Sequence, residues 1–419
     1  MDINELLKRK ECGCGKIHEC DIEHIYVEKN AISNHLSELC EKYGKILLVA
    51  DENTYLAAGE KAECALGKKK IRKIIFDGST VLIPDEKAIE SIRAKLDGID
   101  LILAVGSGVI QDLCKYVSHF ATLPYMVVAT APSMDGYASS VAAMILGGMK
   151  ETVSTRLPKA IIADTEVLRN APIDMIKSGY GDIIGKFSAL CDWRLSNAVN
   201  GEGLCKYIYD ITYATVQKTL DTAKGLLDRD ENSIKALTEA LMIVGIMMSF
   251  ATNSRPASGS EHHLSHFFEI TGIIDSTPYF PHGIDVAYST VITAQIREKL
   301  LKSSFVKKQY CPERTEYEKI MSEIYKEVAA GCIALQDKSG NYNKERVCIY
   351  KSKEAEIRSI LADMPSSEEI KQMLSLVGLD FSELYNLYGE KKVEQAILYA
   401  KDLKDRYTVL WMNFDLLGE

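Results

Sequence analysis

The sequence lacks any dense run of basic residues, the longest being Lys68–Lys70. Among its 419 residues, 50 Lys and Arg stand against 59 Asp and Glu, which leaves a formal net charge of −9. Because nucleic-acid and anionic-lipid surfaces need clustered positive charge, the sequence argues against both kinds of partner. It also lacks internal repeats and low-complexity segments. A share of 47% hydrophobic and 26% charged residues is typical of a globular chain with two large or three small domains.

A long apolar segment is missing as well. The best run, Ala240–Ala251, is shorter than the roughly 20 residues needed to cross a bilayer and is predicted to be a buried helix. The acidic start, Met1–Glu5, does not have the basic and apolar segments of a signal peptide. Eleven cysteines are an odd number, and without an export signal we expect reduced thiols. The sequence therefore predicts a soluble cytoplasmic protein with no membrane partner.

The first 165 residues alternate short apolar runs with helical patterns such as Asp85–Leu96 and Gln111–Phe120. Short apolar runs between helices are typical of strands that are buried on both faces of a parallel sheet. The predicted strands are Lys45–Ala50, Ile74–Phe76, Leu101–Val105 and Met126–Ala129. A Gly147-Gly148 pair between apolar residues predicts a β-hairpin. We therefore predict a doubly wound α/β domain with a mostly parallel sheet over residues 1–168.

The second part of the chain has a different pattern. From Ala171 onward apolar residues recur at helical spacing, for example over Ser233–Ser249 and Glu394–Leu410. An all-α domain is predicted for residues 169–419, and the cleft between the two domains is the default location for a site.

A glycine-containing turn follows one of the predicted strands. The run Gly106–Asp112 (GSGVIQD) opens a helix, where glycines let a phosphate approach the backbone and free N–H groups can bind it. It is not the dinucleotide fingerprint, because Gln111 replaces the third glycine and no acidic residue follows at about 20 positions. An ordinary strand-to-helix turn remains an equal alternative. Asp51 ends another strand, where it could bind a ribose or cap a helix.

A second loop, Thr130–Ser139, follows the strand Met126–Ala129. Ligands in open α/β sheets bind at the carboxyl ends of strands, so both loops are expected at one edge of the sheet. The hydroxyl groups and the carboxylate of Asp135 suit polar ligand contacts. The alternative is a turn made by Asp135-Gly136.

The strongest signal is a group of potential metal ligands. Asp182 and Lys186 lie four residues apart on one helix face. Four of the eight histidines lie between His262 and His282; of these, His262 and His266 share a face, while the ring of His263 points about 100° away. Two imidazoles and a carboxylate that leave a position open are typical of a catalytic divalent metal site. The alternative is that these histidines only fill the core or the surface.

A cysteine-rich segment near the N-terminus, Cys12–Cys20, contains three cysteines and His18. Structural zinc sites usually have two to four residues between paired cysteines and a second ligand pair, which this segment lacks. We expect a small hairpin here rather than a zinc site. Cys114 and Cys191 lie in apolar helical patterns and are expected to pack in the core.

In this order, the motifs resemble those of the glycerol-1-phosphate dehydrogenases, part of the superfamily of iron-containing alcohol dehydrogenases, glycerol dehydrogenases and dehydroquinate synthases. The resemblance runs from about Lys45 to Ile292, and the tail beyond about Leu300 carries no motif but has the length of bacterial members. The five motifs are GSGVIQD at 106–112, TAPSxDG at 130–136, GDxxxK at 181–186, SGSEHxxSH at 258–266 and PHG at 281–283.

The resemblance implies a dehydroquinate synthase-like fold, in which the α/β domain binds NAD(H) or NADP(H) and the helical domain binds one divalent metal. That metal would be zinc or nickel, with iron as the alternative. It also implies reduction of dihydroxyacetone phosphate to sn-glycerol 1-phosphate by a homodimer or higher homo-oligomer. The cofactor residues, including Asp51 from the strand pattern, would be Asp51, Gly106, Gly108, Val109, Ile110, Gln111, Asp112, Thr130, Ala131, Pro132, Ser133 and Ser139.

For the metal, the resemblance implies Asp182, His262 and His282, with His262 favoured over His263 because it keeps the pairing with His266. Asp182 and His266 would act in catalysis. Substrate contacts would come from Asp135, Asp182, His266, Lys186 and Arg255.

Lys186 and Arg255 are the candidates for the substrate phosphate, and a salt bridge to a neighbouring carboxylate is the equal alternative for each. Two other functions stay open. Another enzyme of the superfamily could act on an unphosphorylated polyol or eliminate phosphate from a sugar acid, and a non-catalytic protein could keep the fold.

Overall fold

A six-stranded parallel sheet organises the N-terminal part of the chain in this computed structural model, which describes residues 3–306 and 313–418. The strand order is β3-β10-β7-β6-β4-β5, and each neighbouring pair runs parallel. Its strands are β3 (His24–Glu28), β4 (Lys45–Asp51), β5 (Lys70–Phe76), β6 (Leu101–Gly106), β7 (Tyr125–Ala129) and β10 (Ala160–Asp164). The predicted parallel α/β sheet is confirmed.

Both faces of the central strands are buried, as the continuous apolar runs predict. On one face Leu48 and Leu103, which are register partners, pack against Leu36 of a covering helix. On the other face Leu47 and Ile102 are also fully buried. Two strands were not predicted: β3 at one edge, and β10, which pairs with β3 from Ala160↔His24 to Asp164↔Glu28.

Two antiparallel hairpins stand apart from this sheet. β8 (Val141–Leu146) and β9 (Met149–Ser154) are joined through Gly147 and Gly148, whose φ angles of 56° and 79° lie in the left-handed region that glycine adopts without strain. This confirms the hairpin predicted from the Gly-Gly pair. The second hairpin pairs β1 (Lys10–Glu11) with β2 (Ile17–His18), so the expected hairpin within Cys12–Cys20 is confirmed as well.

Helices make up nearly all of the rest, and the described residues after Asp164 contain no strand. The α-helices up to residue 251 are Ile3–Leu6, Ala31–Leu39, Glu52–Thr54, Glu60–Leu66, Glu86–Arg93, Gly108–Ala121, Thr165–Leu168, Ile173–Asn200, Lys206–Leu227 and Glu231–Ala251. Those that follow are Ser260–Asp275, His282–Lys302, Arg314–Tyr325, Ala329–Ser339, Val347–Ser352, Glu354–Ala362, Ser367–Ser375, Ser382–Tyr399 and Val409–Leu417. A π-helical turn covers Tyr55–Gly59, and 3₁₀ turns cover Gly136–Ala138, Lys326–Val328, Asn341–Asn343 and Ala400–Leu403.

One predicted helix is wrong in its extent. The pattern over Glu394–Leu410 predicts a single helix, but the α-helix ends at Tyr399 and another begins at Val409. The break follows from buried polar contacts: Asp402 accepts hydrogen bonds from the hydroxyl groups of Tyr342 at 2.8 Å and Tyr317 at 3.2 Å. These tertiary contacts outweigh the local helical pattern.

Two compact units make up the chain. The first contains Met1–Tyr180 and Gln217–Asn253, and the second contains Gly181–Val216 and Ser254–Glu419. The segment Gln217–Asn253 belongs with the first because its helix packs on the Gly136–Ala138 turn, where Ser249 donates to the carbonyl oxygen of Ala138 at 2.9 Å. The predicted division into an α/β domain over residues 1–168 and a helical domain over residues 169–419 stays a prediction.

The helix Glu231–Ala251 contains the apolar run Ala240–Ala251 noted in the sequence. By length and composition it is the one helix among the described residues that could cross a membrane, but 78% of its most apolar window is buried inside the protein. Burial of this kind is typical of a core helix, as predicted for the run.

Candidate functional site

Glycines allow two helices of the second unit to approach closely. The helix Ile173–Asn200 carries Gly181, where an added Cβ would stand 2.3 Å from the carbonyl oxygen of Gly283. One turn later, a Cβ at Gly185 would stand 2.5 Å from a methyl carbon of Val286. Both contacts are with the helix His282–Lys302, whose first residue is His282. The motif Gly-Asp-x-x-Gly-Lys therefore brings Asp182, next to Gly181, close to His282.

The predicted metal ligands meet at this point. Donor atoms of Asp182, His262 and His282 all lie within 4.8 Å of one another. The Nε2 atom of His262 lies 3.7 Å from Oδ1 of Asp182, and the rings of His262 and His282 are 5.2 Å apart. Asp182 is fully buried, and His262 is 6% exposed. Three residues separated by up to a hundred positions in sequence thus form one compact set of oxygen and nitrogen donors.

Glu261 fixes the orientation of the His262 ring. Its Oε1 atom lies 2.7 Å from Nδ1 of His262 and accepts a hydrogen bond from the backbone N–H of Gly259 at 2.8 Å. The other ring nitrogen, Nε2, is thereby left toward Asp182. A carboxylate behind a histidine in this way is a common support for metal-binding imidazoles, because it fixes the ring and its tautomer.

Burial also sets the protonation of this pair. It lowers the pKa of His262 well below its usual value, and the positive charge of Lys186 adds to the effect, so the ring is neutral as a metal ligand must be. Burial raises the pKa of Glu261 to about 8, and the negative charge of Asp192 contributes.

The neighbouring histidines divide as the helical spacing predicts. The ring of His266 lies 6.0 Å from that of His262 and 5.7 Å from that of His282, so it borders the donor set. His263 is fully buried and is not part of the donor set. Among the described residues, neither ring nitrogen of His263 has a hydrogen-bond partner.

The two predicted phosphate ligands take part in salt bridges instead. Nζ of Lys186 lies 2.5 Å from Oδ1 of Asp182, and both side chains are buried. Arg255 donates from Nε and Nη2 to the two carboxylate oxygens of Glu202 at 2.8 and 2.5 Å, and from Nη1 to the carbonyl oxygen of Tyr407 at 2.9 Å. These protein acceptors hold the guanidinium group of Arg255, and its binding of the substrate phosphate stays a prediction. The salt-bridge alternative describes both residues.

In the first unit, the glycine loop has the predicted position between β6 and the helix Gly108–Ala121. Its two glycines have different roles. A Cβ at Gly106 would meet the side chain of Ile110 at 2.6 Å, so this glycine is needed for packing. A Cβ at Gly108 would make ordinary van der Waals contact with Met134 at 3.7 Å and would meet nothing closer, so the start of the helix is not crowded. Such space next to free backbone N–H groups suits a phosphate.

Several polar residues assigned to the cofactor make internal contacts in the same unit. Gln111 donates to the carbonyl oxygen of Tyr137 at 2.7 Å, and Asp112 accepts from the backbone N–H of Ala143 at 3.2 Å. The hydroxyl of Ser139 donates to the carbonyl oxygen of Gly136 at 3.0 Å. These contacts connect the glycine helix, the second loop and the β8–β9 hairpin.

The remaining residues of this group are placed as follows. Asp51 caps the helix Glu52–Thr54 by accepting from the N–H of Thr54 at 2.8 Å, which is the alternative that the sequence left open. Thr130 donates its backbone N–H to the carbonyl oxygen of Gly106 at 3.3 Å, so the two loops lie side by side, as expected. The other members, all in these two loops, are Val109, Ile110, Ala131, Pro132 and Ser133, and the predicted substrate residue Asp135 is buried beside them.

Two buried charged side chains that contact the predicted site residues or their loops were not predicted from the sequence. Glu261 immediately precedes His262, and a carboxylate next to a metal histidine is a signal that the motif already contained. Lys115 is fully buried and donates to the carbonyl oxygens of Gly136 at 2.9 Å and Val141 at 2.7 Å. The sequence feature that could have revealed Lys115 is the position of a lysine on the apolar face of a predicted helix.

Comparison with known proteins assigns the chain to a family. Residues 26–172 match the family described as iron-containing alcohol dehydrogenase. A glycerol-1-phosphate dehydrogenase (NAD(P)+) from Geobacillus stearothermophilus is 29% identical over 417 residues, which cover 97% of this chain and 96% of that protein. The protein of that name from Bacillus subtilis is 32% identical over 310 residues, which cover 70% of this chain and 76% of the relative.

Solved structures agree on the fold. A probable glycerol dehydrogenase from Sinorhizobium meliloti superposes with a TM-score of 0.62 at 17% identity, covering 91% of this chain and 89% of that one. An iron-containing alcohol dehydrogenase from Thermococcus thioreducens gives a TM-score of 0.59 at 16% identity, covering 92% of both chains. Because the Bacillus subtilis protein is 32% identical over 70% of this chain, the chain belongs to the glycerol-1-phosphate dehydrogenase family, in the iron-containing alcohol dehydrogenase superfamily.

Proposed function

We propose that this protein is an NAD(P)-dependent, metal-dependent oxidoreductase that interconverts dihydroxyacetone phosphate and sn-glycerol 1-phosphate. The observation that carries the proposal is the donor set of Asp182, His262 and His282, within 4.8 Å of one another. The names of relatives that match almost the whole chain support the reaction.

The donor set fits a catalytic divalent cation. It consists of one carboxylate and two imidazoles, the His262 ring is kept neutral by burial, and Glu261 holds that ring from behind. Three protein ligands leave a position for substrate. A cation held there supplies Lewis-acid polarisation of the ketone oxygen and stabilises the charge that forms on it. Zinc, nickel and iron all suit these donors, so metal analysis of the purified protein must identify the ion.

The side chains around the donor set have separate roles. Lys186 balances the charge of Asp182 through their contact at 2.5 Å. His266 borders the donor set without belonging to it, so it is the candidate for delivering the proton to the alkoxide oxygen. Asp135 is the candidate for a hydroxyl group of the substrate, as the family resemblance implies.

The dinucleotide fits the first unit, where Gly108 leaves space at the start of a helix of fourteen residues. NADH or NADPH supplies the hydride. In this proposal, the backbone of the glycine loop and of Thr130–Ser133 binds the cofactor, whereas Gln111, Asp112 and Ser139 position those loops through the contacts described above. Asp51 caps a helix in the structure, and we also propose that it binds the ribose of the cofactor.

The decisive experiment compares NADH and NADPH oxidation with dihydroxyacetone phosphate and with dihydroxyacetone. The proposal expects efficient turnover only with the phosphorylated ketone, and dependence on added metal after chelation. A preference for dihydroxyacetone or glycerol would identify a polyol dehydrogenase and overturn the substrate assignment. Absence of turnover with metal and either cofactor would favour a non-catalytic protein.

His262 and His263 provide a matched pair of variants for the metal. His262→Leu removes a ligand and should abolish both metal binding and turnover, whereas His263→Leu should leave both in place. The opposite result would show that His263, and not His262, is the metal ligand. The proposed enzyme is cytoplasmic and forms a homodimer. Light scattering on the purified protein tests its oligomeric state.

A further inference from the structure

The N-terminal hairpin brings together three side chains of types that can bind a metal ion. Donor atoms of Cys12, Cys14 and His18 lie within 4.8 Å of one another. The sulfur of Cys14 is 3.5 Å from Nε2 of His18. Cys20, the other cysteine of the segment, is not part of this donor group. Cys12, Cys14 and His18 all lie in the first unit, and none of them is assigned to the dehydrogenase reaction.

The backbone places the two thiols on one turn. Cys12 accepts a hydrogen bond at its carbonyl oxygen from the N–H of Gly15 at 3.0 Å, and its own N–H donates to Lys16 at 3.1 Å. Gly15 has a φ angle of 82°, which glycine adopts without strain. Added Cβ atoms at Gly13 and Gly15 would meet nothing within 4 Å, so the turn is not crowded. Gly15 therefore serves the conformation of the turn rather than close packing.

The ring of His18 is fixed by strand β2 and by contact with Phe250. His18 lies in β2, opposite Lys10 of β1, and its ring stacks on Phe250 with 5.2 Å between the ring centroids. It is 1% exposed, whereas Cys12 is half-buried and Cys14 is exposed. A fixed, buried imidazole next to thiols at the surface leaves an entry path for an ion from solvent.

From this geometry we propose that Cys12, Cys14 and His18 bind a zinc ion that fixes the N-terminal hairpin. Two thiolates and an imidazole are the soft donor set that zinc prefers, and a water molecule or one further donor would complete the tetrahedron. The spacing Cys-x-Cys is shorter than usual for structural zinc, but the hairpin brings His18 back to the same end and supplies the third ligand. Thiolate donors distinguish this site chemically from the donor set of Asp182, His262 and His282, which contains no sulfur.

Cobalt gives a test that reports on this site alone. Chelator-treated protein, kept reduced, is titrated with Co²⁺, and the near-ultraviolet thiolate-to-cobalt charge-transfer band is recorded. The proposal expects the band in wild type and in Asp182→Ala, its loss in the double variant Cys12→Ser/Cys14→Ser, and its retention in Cys64→Ser, where an exposed thiol elsewhere in the same unit is removed. Absence of the band in wild type, or its persistence in the double variant, would overturn the proposal.

A second measurement needs no substitution at the hairpin. Zinc-loaded wild type is alkylated with iodoacetamide before and after chelation, and the modified cysteines are identified by mass spectrometry. We expect Cys12 and Cys14 to react only after chelation, whereas the exposed Cys64 and Cys348 react in both states. Equal reaction of Cys12 and Cys14 with and without zinc, or recovery of these two residues as a disulfide in zinc-loaded protein, would contradict zinc binding.

Discussion

A single methyl group at Gly181 should separate Asp182 and His282, two residues of the proposed metal site. In Gly181→Ala the new carbon would stand 2.3 Å from the carbonyl oxygen of Gly283 and 2.8 Å from Cβ of Ala287, whereas ordinary contact begins at 3.4 Å. The two helices must therefore move apart by about 1 Å, the difference between 3.4 and 2.3 Å. Asp182 and His282 are the chain neighbours of the two colliding residues, so this movement falls directly on the ligands.

The expected size follows from two general effects. Overpacking of this kind costs about 1–3 kcal/mol in the free energy of unfolding. A misplacement of about 1 Å at a reacting centre lowers the rate by about 100-fold. Calorimetric titration of the chelated protein with zinc measures metal affinity, and denaturant unfolding measures the free energy of unfolding. The value of kcat/KM with dihydroxyacetone phosphate measures the loss of turnover. We expect weaker zinc binding in proportion to the loss of turnover.

Two glycines provide graded controls. Gly185→Ala meets a methyl carbon of Val286 at 2.5 Å, a side chain that can move more easily than a backbone carbonyl, so its effect should be smaller. Gly203→Ala adds its methyl where nothing lies within 4 Å and should behave like wild type. If Gly181→Ala binds zinc and turns over within about twofold of wild type, the close approach of the helices does not position the ligands, and the reasoning fails.

Four other variants test separate parts of the molecule. Gly108→Val should raise KM for the dinucleotide far more than KM for the ketone, because it fills the space at the start of the helix. Glu261→Ala should weaken metal binding by about 10- to 100-fold, because it frees the ring of His262. His263→Leu should keep the metal and leave the free energy of unfolding unchanged or higher, since the described structure gives neither ring nitrogen a partner. Arg255→Ala should lower that free energy by about 1.5–3 kcal/mol and reduce activity on both ketones in parallel.

For three of these variants, at Gly108, Glu261 and Arg255, one outcome would contradict the expectation. Equal increases in both KM values for Gly108→Val, with loss of folding, would support an ordinary turn. Glu356→Gln removes an exposed carboxylate in the same unit and is the control for Glu261, so equal effects of the two would argue against ring orientation. A loss confined to the phosphorylated ketone in Arg255→Ala would restore the phosphate role that its salt bridge argues against.

The parts of the fold that depend on local pattern could be predicted from the sequence. Continuous apolar runs indicated β4, β6 and β7, and the Gly147-Gly148 pair indicated a hairpin with left-handed residues. For β5, only the last three residues were predicted to form a strand. It lies at the edge of the sheet, so fewer of its residues are apolar. The break after Tyr399 could not be predicted, since buried tyrosine hydroxyls distant in sequence cause it.

Chemistry predicted a site of two imidazoles and one carboxylate, and the family resemblance implied which residues supply them. Asp182, His262 and His282 are far apart in sequence, and helical spacing favoured His262 over His263. The motif shows that Glu261 is next to His262, but the sequence does not show that its carboxylate turns back to the ring of His262. Arg255 shows the limit most clearly, because a charge near a site in sequence fits a phosphate or a carboxylate equally well until its partner Glu202 is known.

The first unit is built from two separate stretches of chain, and this has a consequence for its synthesis on the ribosome. The helix Glu231–Ala251, which packs on the Gly136–Ala138 turn, emerges only after the ribosome has produced the stretch that follows Tyr180. At about 5–20 residues per second, the sheet must wait on the order of several seconds for this helix. During that interval the nascent sheet exposes the surface that Gly245 and Ser249 later cover. A fragment that ends at Tyr180 would keep this surface exposed permanently, so it would need a chaperone or would aggregate, although it contains every strand of the sheet.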